Sequence, residues 1–404
     1  MNIHDLSKYE NIIIIGDEKV GRTEVISNYF VRKKINFSVI SLNPVLRRGW
    51  NSLKLINIKG KEEKKYFYET LTFNKEDLIG FKSLKLIFFY LHKIKALIYF
   101  KKYLNINQNT LIISVGNALT FCSFIVFKLF YIRKPKSIYY NIDYWSYKPG
   151  YFGNYLGSHY IFTFISRFLE SFLITFSNHT WFVTDVRNKI QNLIKKDNNK
   201  FFLMPIGFSY QEVMSFNNDK IIPLNRIVKI FYIGVISDTQ GLDLLIKMVL
   251  KFKGQIFLEL IGQGAMLDKY KYEAKKLGIE KFINFYGFID KHEDCFKIAR
   301  KCHFGYAYMH NDQKTHSNFA EPGKIKLYLM FNLPVIVSDH IKISKQIKKL
   351  NLGIVIKYGL KTLNNNLNKI LEKKIDYESL KKSIFNNKRI IISDHYFDNF
   401  FKNE

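Results

Sequence analysis

Residues 321–339, EPGKIKLYLMFNLPVIVSD, place a lysine at the start of a largely apolar helix. Pro322-Gly323 is predicted to begin this helix, and a helix N-terminus offers free backbone N–H groups and the positive end of a dipole to an anion. Lys324 in the first turn works against that dipole, so it is a poor choice for helix stability alone. Because the placement suits a diphosphate, we interpret Lys324 as an anion-binding residue. Lys326 points elsewhere on the helix and is predicted to be solvated.

Three other groups of polar residues are interpreted structurally. Gly262-Gln263-Gly264 lacks the third glycine of a dinucleotide-binding fingerprint, and no acidic residue ends the next strand. We therefore predict that it forms a tight strand-to-helix turn. His310 and His316 flank the loop before Glu321 and are taken as ordinary loop histidines. The cysteines Cys122, Cys295 and Cys302 have neither the pairing of a disulfide framework nor zinc spacing, and buried thiols are expected at Cys295 and Cys302.

The charge balance points to an anionic partner. The chain has 63 basic and 34 acidic residues, a formal net charge of +29, although compositional drift towards Lys, Asn and Ile could supply part of this excess. The distribution is more informative, since the 65 residues of 78–142 contain ten Lys or Arg and no Asp or Glu.

Within this acid-free block, 81–104 (FKSLKLIFFYLHKIKALIYFKKYL) interleaves lysines with aromatic and aliphatic residues. This composition is typical of an interfacial amphipathic segment, and the alternative is a buried helix with one solvated lysine face. We predict a membrane-facing surface that includes Gly16, Lys82, Lys85, Lys93, Lys95, Lys101 and Lys102.

Strands and helices alternate along the chain. Ile12–Ile15 followed by Gly16 predicts a buried parallel strand, and the pattern restarts after the polar stretch 215–220. Such alternation predicts an α/β protein with two Rossmann-like doubly wound domains that face each other across a cleft.

The predicted boundaries follow from this pattern and from the length of 404 residues, which exceeds what one hydrophobic core usually serves. Neither a signal peptide nor an apolar run long enough to span a membrane is expected. We predict an N-terminal Rossmann-like domain, a linker, a C-terminal Rossmann-like domain and a final helix that packs back on the first domain, over residues 1–212, 213–226, 227–385 and 386–404.

The C-terminal half resembles glycosyltransferases of the GT-B fold, in the group 1 or family 4-like branch. The resemblance rests on three strand–turn units and on a Pro-x-Lys helix start followed by Tyr-Leu and an Asn-x-Pro-Val-Ile strand, at 230–249, 257–270, 282–294 and 321–337. It implies an α/β GT-B enzyme in which 1–212 binds the acceptor and 227–385 binds the nucleotide-sugar. The implied donor-binding residues are Gly234, Glu321, Pro322, Gly323 and Lys324, with Lys324 and backbone amides holding the diphosphate.

The sequence also departs from this family's pattern. Val235 and Gln240 stand where retaining members usually carry Arg and Lys, and Leu327 stands where an acid usually binds the donor ribose. A divergent or inverting branch similar to the glucuronosyltransferases therefore remains open. Asp143 follows a predicted strand and is the candidate base for an inverting transfer, whereas a turn or capping role is the structural alternative.

Together these features predict a metal-independent, hexosyltransferase-type glycosyltransferase. It is expected to move a sugar from a nucleotide-diphosphate donor, with UDP favoured, to a lipid-linked or polysaccharide acceptor in cell-surface glycan synthesis. No cofactor is expected, because the nucleotide-sugar is a substrate, and the expected location is the cytoplasmic, inner face of the cell membrane. No nucleic-acid partner is expected, but a non-enzymatic polyanion or nucleic-acid binder and an inactive GT-B-like partner subunit remain alternatives.

Overall fold

The structure is a computed structural model of the chain, and it forms two compact units. Unit 1 comprises Met1–Pro205 with Ser393–Glu404, and unit 2 comprises Ile206–Ile392. The residues that the structure describes are 6, 8–16, 22–41, 52–59, 62–69, 82–129, 134–141, 159–183, 200–205, 207–216, 222–310 and 322–403, with the backbone alone at 52–54, 69, 82–90, 117–119 and 159–167.

Unit 1 is a mixed sheet flanked by helices. Its elements are β1 Asn11–Ile15, α1 Arg22–Arg32, β2 Phe37–Ser41, β3 Ser52–Lys59, β4 Glu62–Glu69, α2 Lys82–Lys101, β5 Thr110–Val115, α3 Asn117–Ser123, a π-helical turn Phe124–Leu129, β6 Lys136–Asn141, α4 His159–Phe176, β7 His179–Phe182, β8 Phe201–Leu203 and, at the end of the chain, α13 Asp394–Asn403.

The strand order of unit 1 is β4-β3-β2-β1-β5-β6-β7-β8. From β2 to β8 neighbouring strands are parallel, with Ile13 opposite both Ser38 and Ile112, whereas β3 and β4 are antiparallel additions at one edge. The chain moves outwards from β1 in one direction and later crosses to β5 on its other side. This reversal is the topological switch point at which doubly wound sheets bind ligands.

The last helix completes the aromatic core of unit 1. The ring of Trp181 lies 5.0 Å from that of Phe400, and the ring of Tyr29 lies 4.9 Å from that of Phe397. The Tyr29 hydroxyl also donates a 2.9 Å hydrogen bond to Asp398 Oδ1. Helix α13 is therefore part of unit 1, although the whole of unit 2 precedes it in sequence.

Unit 2 is an entirely parallel sheet with helices on both faces. Its elements are α5 Tyr210–Ser215, β9 Val228–Ile233, a 3₁₀ turn Asp238–Gln240, α6 Leu242–Lys251, β10 Ile256–Ile261, α7 Leu267–Lys276, a 3₁₀ turn Glu280–Phe282, β11 Ile283–Gly287, α8 His292–Ala299, β12 Phe304–Ala307, α9 Gly323–Met330, β13 Val335–Ser338, α10 Ser344–Lys349, β14 Gly353–Ile356, α11 Leu360–Leu371, α12 Tyr377–Asn386 and a 3₁₀ turn Lys388–Ile391.

The strand order of unit 2 is β11-β10-β9-β12-β13-β14, so its switch point lies between β9 and β12. Alternate residues of β9 enter two separate cores: Ile230 and Tyr232 belong to one, and Phe231 belongs to the other. Because side chains alternate across a strand, this pattern shows that both faces of the sheet are covered.

The boundary between the units differs from the predicted linker at 213–226. Helix α5 is capped by Ser209, whose Oγ accepts a 3.1 Å hydrogen bond from Glu212 N. Val213 and Phe216 are buried in a core cluster of unit 2, so the first residues of the predicted linker are packed in that domain.

Candidate functional site

The carboxyl ends of β9, β10 and β11 form a continuous backbone floor. Gly234 N donates to Ile261 O at 3.0 Å, and Gly262 N donates to Gly287 O at 2.7 Å. A Cβ atom on Gly262 would lie 1.9 Å from Gly234 O, so only glycine permits this approach. The Gly262–Gly264 turn therefore has the structural role that its sequence predicts.

Tyr328 anchors helix α9 beside this floor. Its hydroxyl accepts a 3.2 Å hydrogen bond from Ile233 N and donates one of 3.0 Å to Tyr306 O. Gly305 makes room for the ring, since a Cβ there would lie 2.3 Å from Tyr328 Cγ. These contacts bind α9 to β9 and β12, the two strands of the switch point.

The first turn of α9 has no side-chain cap among the residues that the structure describes. Pro322 is the N-cap residue and makes no side-chain capping bond. Ile325 N donates to Pro322 O at 3.0 Å, so the N–H groups of Gly323 and Lys324 are the ones in this turn that can donate to an external anion.

Lys324 extends from this turn to the loop that follows β9. Its ammonium donates to Gln240 Oε1 and, at 3.3 Å, to the Tyr232 hydroxyl, and it lies 4.5 Å from the centre of the Tyr232 ring. A Cβ on Gly234 would lie 3.7 Å from Lys324 Nζ, so amine and glycine are adjacent. Burial among neutral groups lowers the pKa of Lys324 to about 7.

The loop between β9 and α6 is held by its own polar groups. The Tyr232 hydroxyl donates to Val235 O at 2.6 Å, and the Ser237 and Thr239 hydroxyls are 3.0 Å apart. Val235 is exposed, whereas Gln240 is the hydrogen-bond partner of Lys324. Thus the position where retaining relatives carry a second lysine holds a neutral group that orients Lys324.

A His–Asp pair that the sequence does not predict lies at the same edge of the sheet. His310 Nε2 lies 2.9 Å from Asp243 Oδ1, and the His310 backbone N–H donates to Thr239 O at 3.0 Å. Asp243 is in the first turn of α6, where an acid also stabilises the helix dipole. Both side chains are about one-third exposed, so a ligand could reach them.

Among the predicted donor residues, the structure brings Gly234, Pro322, Gly323 and Lys324 together. Glu321 and the candidate base Asp143 lie outside the described residues. The solvation of Lys326 is a wrong prediction: the residue is buried because α9 also packs against the 388–391 turn, so nearly all of its sides are covered.

The predicted acceptor and membrane-facing residues are not all at the surface. Gly16 is buried, and a Cβ there would lie 2.2 Å from Thr23 Oγ1. Lys93 is 2% exposed because Ala96, Leu97 and Phe100, on the same helical stripe, enter the core of unit 1. The prediction that Gly16 and Lys93 lie on the membrane-facing surface is therefore wrong.

The other predicted lysines of α2 differ in how far the structure describes them. Lys95 and Lys102 are exposed, and Lys102 Nζ lies 4.0 Å from the centre of the Tyr99 ring. Lys101 is half-buried, and the side chains of Lys82 and Lys85 lie outside the described part. None of the helices within the described ranges is long and apolar enough to cross a membrane.

Comparison with known proteins identifies the fold. Residues 246–403 match the family model "Glucosyltransferase 3-like, C-terminal domain". No curated protein sequence matches the chain significantly.

Solved structures match over nearly the whole chain. The lipopolysaccharide outer core galactosyltransferase WaaB, in its apo form, is 14% identical with a TM-score of 0.60, covering 96% of this chain and 98% of that one. The sucrose-phosphate synthase of Thermosynechococcus elongatus is 12% identical with a TM-score of 0.66, covering 97% and 98%. HepE of Anabaena in complex with UDP is 9% identical with a TM-score of 0.57, covering 97% and 98%.

These neighbours share two Rossmann-like domains, as the strand orders of units 1 and 2 also show. The resemblance and the fold class inferred from the sequence are therefore confirmed. The chain has the GT-B fold of glycosyltransferases, and its residues 246–403, from within α6 to α13, match the glucosyltransferase 3-like C-terminal domain.

Proposed function

We propose that this protein is a glycosyltransferase that moves a hexosyl group from a nucleotide-diphosphate sugar, with UDP as the favoured carrier, to a lipid-linked or polysaccharide acceptor. The observation that carries the proposal is the position of the Lys324 ammonium and the neutral character of its partners. Its ammonium lies in the first turn of α9, beside Gly234, and its partners among the described residues are neutral. An anion can thus recruit this cation without first breaking an ion pair to those partners.

The chemistry of the site follows from where negative charge develops. As the bond from the anomeric carbon to the diphosphate breaks, the leaving oxygen gains charge, and the amine and the free N–H groups of α9 are preorganised donors for it. These groups provide the electrostatic role that a metal ion has in other phosphate-leaving reactions, so the proposal requires no metal. Asp143 is proposed to take the proton of the acceptor hydroxyl.

The comparisons support this proposal at a coarser level. HepE is described in complex with UDP, and WaaB is named as a galactosyltransferase of the lipopolysaccharide outer core. A UDP-linked donor and a cell-surface glycan acceptor are therefore proposed here by analogy. Because a lipid-linked acceptor lies in a membrane, we also propose that the protein works peripherally at the inner face of the cell membrane.

Thermal unfolding with millimolar UDP, GDP, ADP and CMP tests the donor site. A nucleotide present at about 100 times its dissociation constant stabilises the bound state by about 2.7 kcal/mol, which gives a readily measured rise in melting temperature. We expect UDP to give the largest rise, and Lys324→Ala to remove it. A larger shift with another nucleoside diphosphate would change the base but keep the donor site.

Single-stranded RNA serves as the control for the alternative of a polyanion binder. If no nucleotide stabilises the protein but RNA does so at low salt and not at high salt, the transferase proposal is wrong. Stabilisation by a nucleotide without sugar transfer to any glycan or lipid-linked acceptor would instead support the inactive partner subunit.

A further inference from the structure

Helix α4 carries a row of phenylalanines that is only partly covered. Phe168, Phe172 and Phe176 are spaced four residues apart, so they lie along one side of the helix. Phe168 is 63% exposed and Phe176 is 50% exposed, with the rings of Phe172 and Phe176 4.5 Å apart. We call these three residues the phenylalanine row.

The π-helical turn extends the row on one side. The Phe124 ring lies 5.0 Å from Phe172 and 5.5 Å from Phe176, and Leu129 at the end of the turn is 60% exposed. Single exposed apolar side chains are common on soluble proteins, but a contiguous patch of large ones marks an interaction site.

Three lysines gather at the C-terminal end of α4. Lys128 Nζ donates to Asn178 Oδ1 at 2.7 Å and to Phe176 O at 3.3 Å, while Lys200 Nζ donates to Ser177 O at 2.5 Å and to Thr175 O at 3.1 Å. Burial, followed by the charges of Lys200 and Lys134, lowers the pKa of Lys128 to about 8. The lysines are therefore close enough to repel one another.

No acid on α4 offsets these charges at the surface. The helix contains one acid, Glu170, which is buried and accepts a hydrogen bond from the Asn141 amide. The π-helical turn and Lys134 belong to the acid-free block 78–142. The region thus combines exposed phenylalanines with cations held at fixed positions by helix carbonyls.

We propose that the phenylalanine row, with Leu129 and the lysines Lys128, Lys134 and Lys200, binds the surface of an anionic lipid bilayer. Aromatic and aliphatic side chains enter the boundary between headgroups and acyl chains, whereas lysines at one end contact the anionic headgroups. This inference rests on the proposed function, since a lipid-linked acceptor gives the enzyme a reason to bind a membrane. It assigns the contact to α4 instead of the lysine-rich α2.

Sedimentation with vesicles of phosphatidylcholine alone and of phosphatidylcholine with 30% phosphatidylglycerol tests the proposal. We expect binding to the anionic vesicles only, and at least a tenfold loss of partitioning in the Phe168→Ser, Phe176→Ser double variant. Lys134→Gln is expected to lose about fivefold. Phe67→Ser, an equally exposed phenylalanine on β4, should bind as the wild type does.

Unchanged melting temperatures would show that the variants fold. Full binding by the double variant overturns the proposal, as does a loss that occurs only in Lys95→Gln, Lys102→Gln, because α2 would then be the contact. A wild-type oligomer that becomes monomeric in the double variant without vesicles also overturns it, in favour of a protein interface. Absence of vesicle binding with an intact UDP shift rejects this surface but keeps the donor site, and the reverse result rejects the donor site alone.

Discussion

Two groups of cations, one in each unit, are partly removed from water but have partners of different kinds. Arg32 at the end of α1 and Lys33 just after it pair with Asp394 and Asp398 of α13 in unit 1. Lys324 in unit 2 bonds instead to an amide oxygen, a phenol and an aromatic face among the described residues. A carboxylate neutralises a cation and fixes it for structure, whereas neutral partners orient a cation but leave its charge for a ligand.

Replacing the lysine itself should have the largest effect. Lys324→Ala removes the charge proposed to stabilise the leaving diphosphate, and we expect kcat/KM to fall by at least about 100-fold, the range for one lost oxyanion donor. The measurement is steady-state transfer with the donor identified by thermal unfolding. Lys33→Ala is the matched control, because its ammonium is paired with Asp398 in unit 1. Equal loss in both variants would contradict the distinction between the two kinds of cation.

Nucleotide affinity should depend on pH, because the charge of Lys324 titrates near neutral pH. With a pKa of about 7, Lys324 loses its proton as the pH rises from 7 to 9, so affinity for the nucleotide should fall by up to about tenfold per pH unit. Calorimetry between pH 7.5 and 9 avoids the last phosphate ionisation, near pH 6.

The titration of Lys324 affects the free energy of unfolding in the direction opposite to its effect on nucleotide affinity. Its pKa is below the ordinary value of 10.5, so between pH 7 and 10 the unfolded chain binds more protons than the folded one. This contribution to the free energy of unfolding therefore rises with pH while nucleotide affinity falls.

The variant Gln240→Glu tests the cause of the pH dependence of affinity. It supplies a carboxylate partner for Lys324 and should flatten the plot of nucleotide affinity against pH. An identical slope in wild type and variant would show that Lys324 does not cause it.

The anchor of α9 can be tested without touching the lysine. Tyr328→Phe leaves Ile233 N and Tyr306 O without their hydroxyl partner, and each buried unsatisfied group costs about 1–3 kcal/mol. We expect a lower urea midpoint and weaker nucleotide binding. Tyr272→Phe, at an exposed tyrosine of α7, should change neither. A neutral Tyr328→Phe would mean that α9 is positioned by its apolar packing alone.

The smallest effect is expected where the charge is structural. Asp394→Asn weakens the Arg32 pair at the surface of unit 1, which should lower the free energy of unfolding by about 1 kcal/mol or less. Nucleotide affinity should not change. A measurable loss of nucleotide affinity would show that α13 influences the donor site, and would contradict a purely structural role for the Arg32–Asp394 pair.

Regular periodicity made most of the fold predictable. The strand predicted at 12–15 is observed as β1, because a continuous run of β-branched residues is typical of a buried parallel strand. The antiparallel hairpin β3–β4 was not predicted. Its outer strand EEKKYFYE has charged residues along half its length, as edge strands do to avoid further pairing.

The site was predictable only where local sequence determines it. A proline, a glycine and a lysine at a helix start are visible in any window of the chain. The partners of Lys324 are not, because Gln240 and Tyr232 are 84 and 92 residues away in sequence. The His310–Asp243 pair was missed for the same reason, since its residues are 67 apart and each is ordinary in its own segment.

The position of α13 has a consequence for how the protein is made. During synthesis the strands of unit 1 leave the ribosome first, but Trp181 and Tyr29 gain Phe397 and Phe400 only after every residue of unit 2 has been translated. Domains generally fold in the order in which they emerge. Here unit 2 can complete its core while Trp181 and Tyr29 of unit 1 still lack the rings of α13, so the core of unit 1 is completed last, when residues 394–403 arrive.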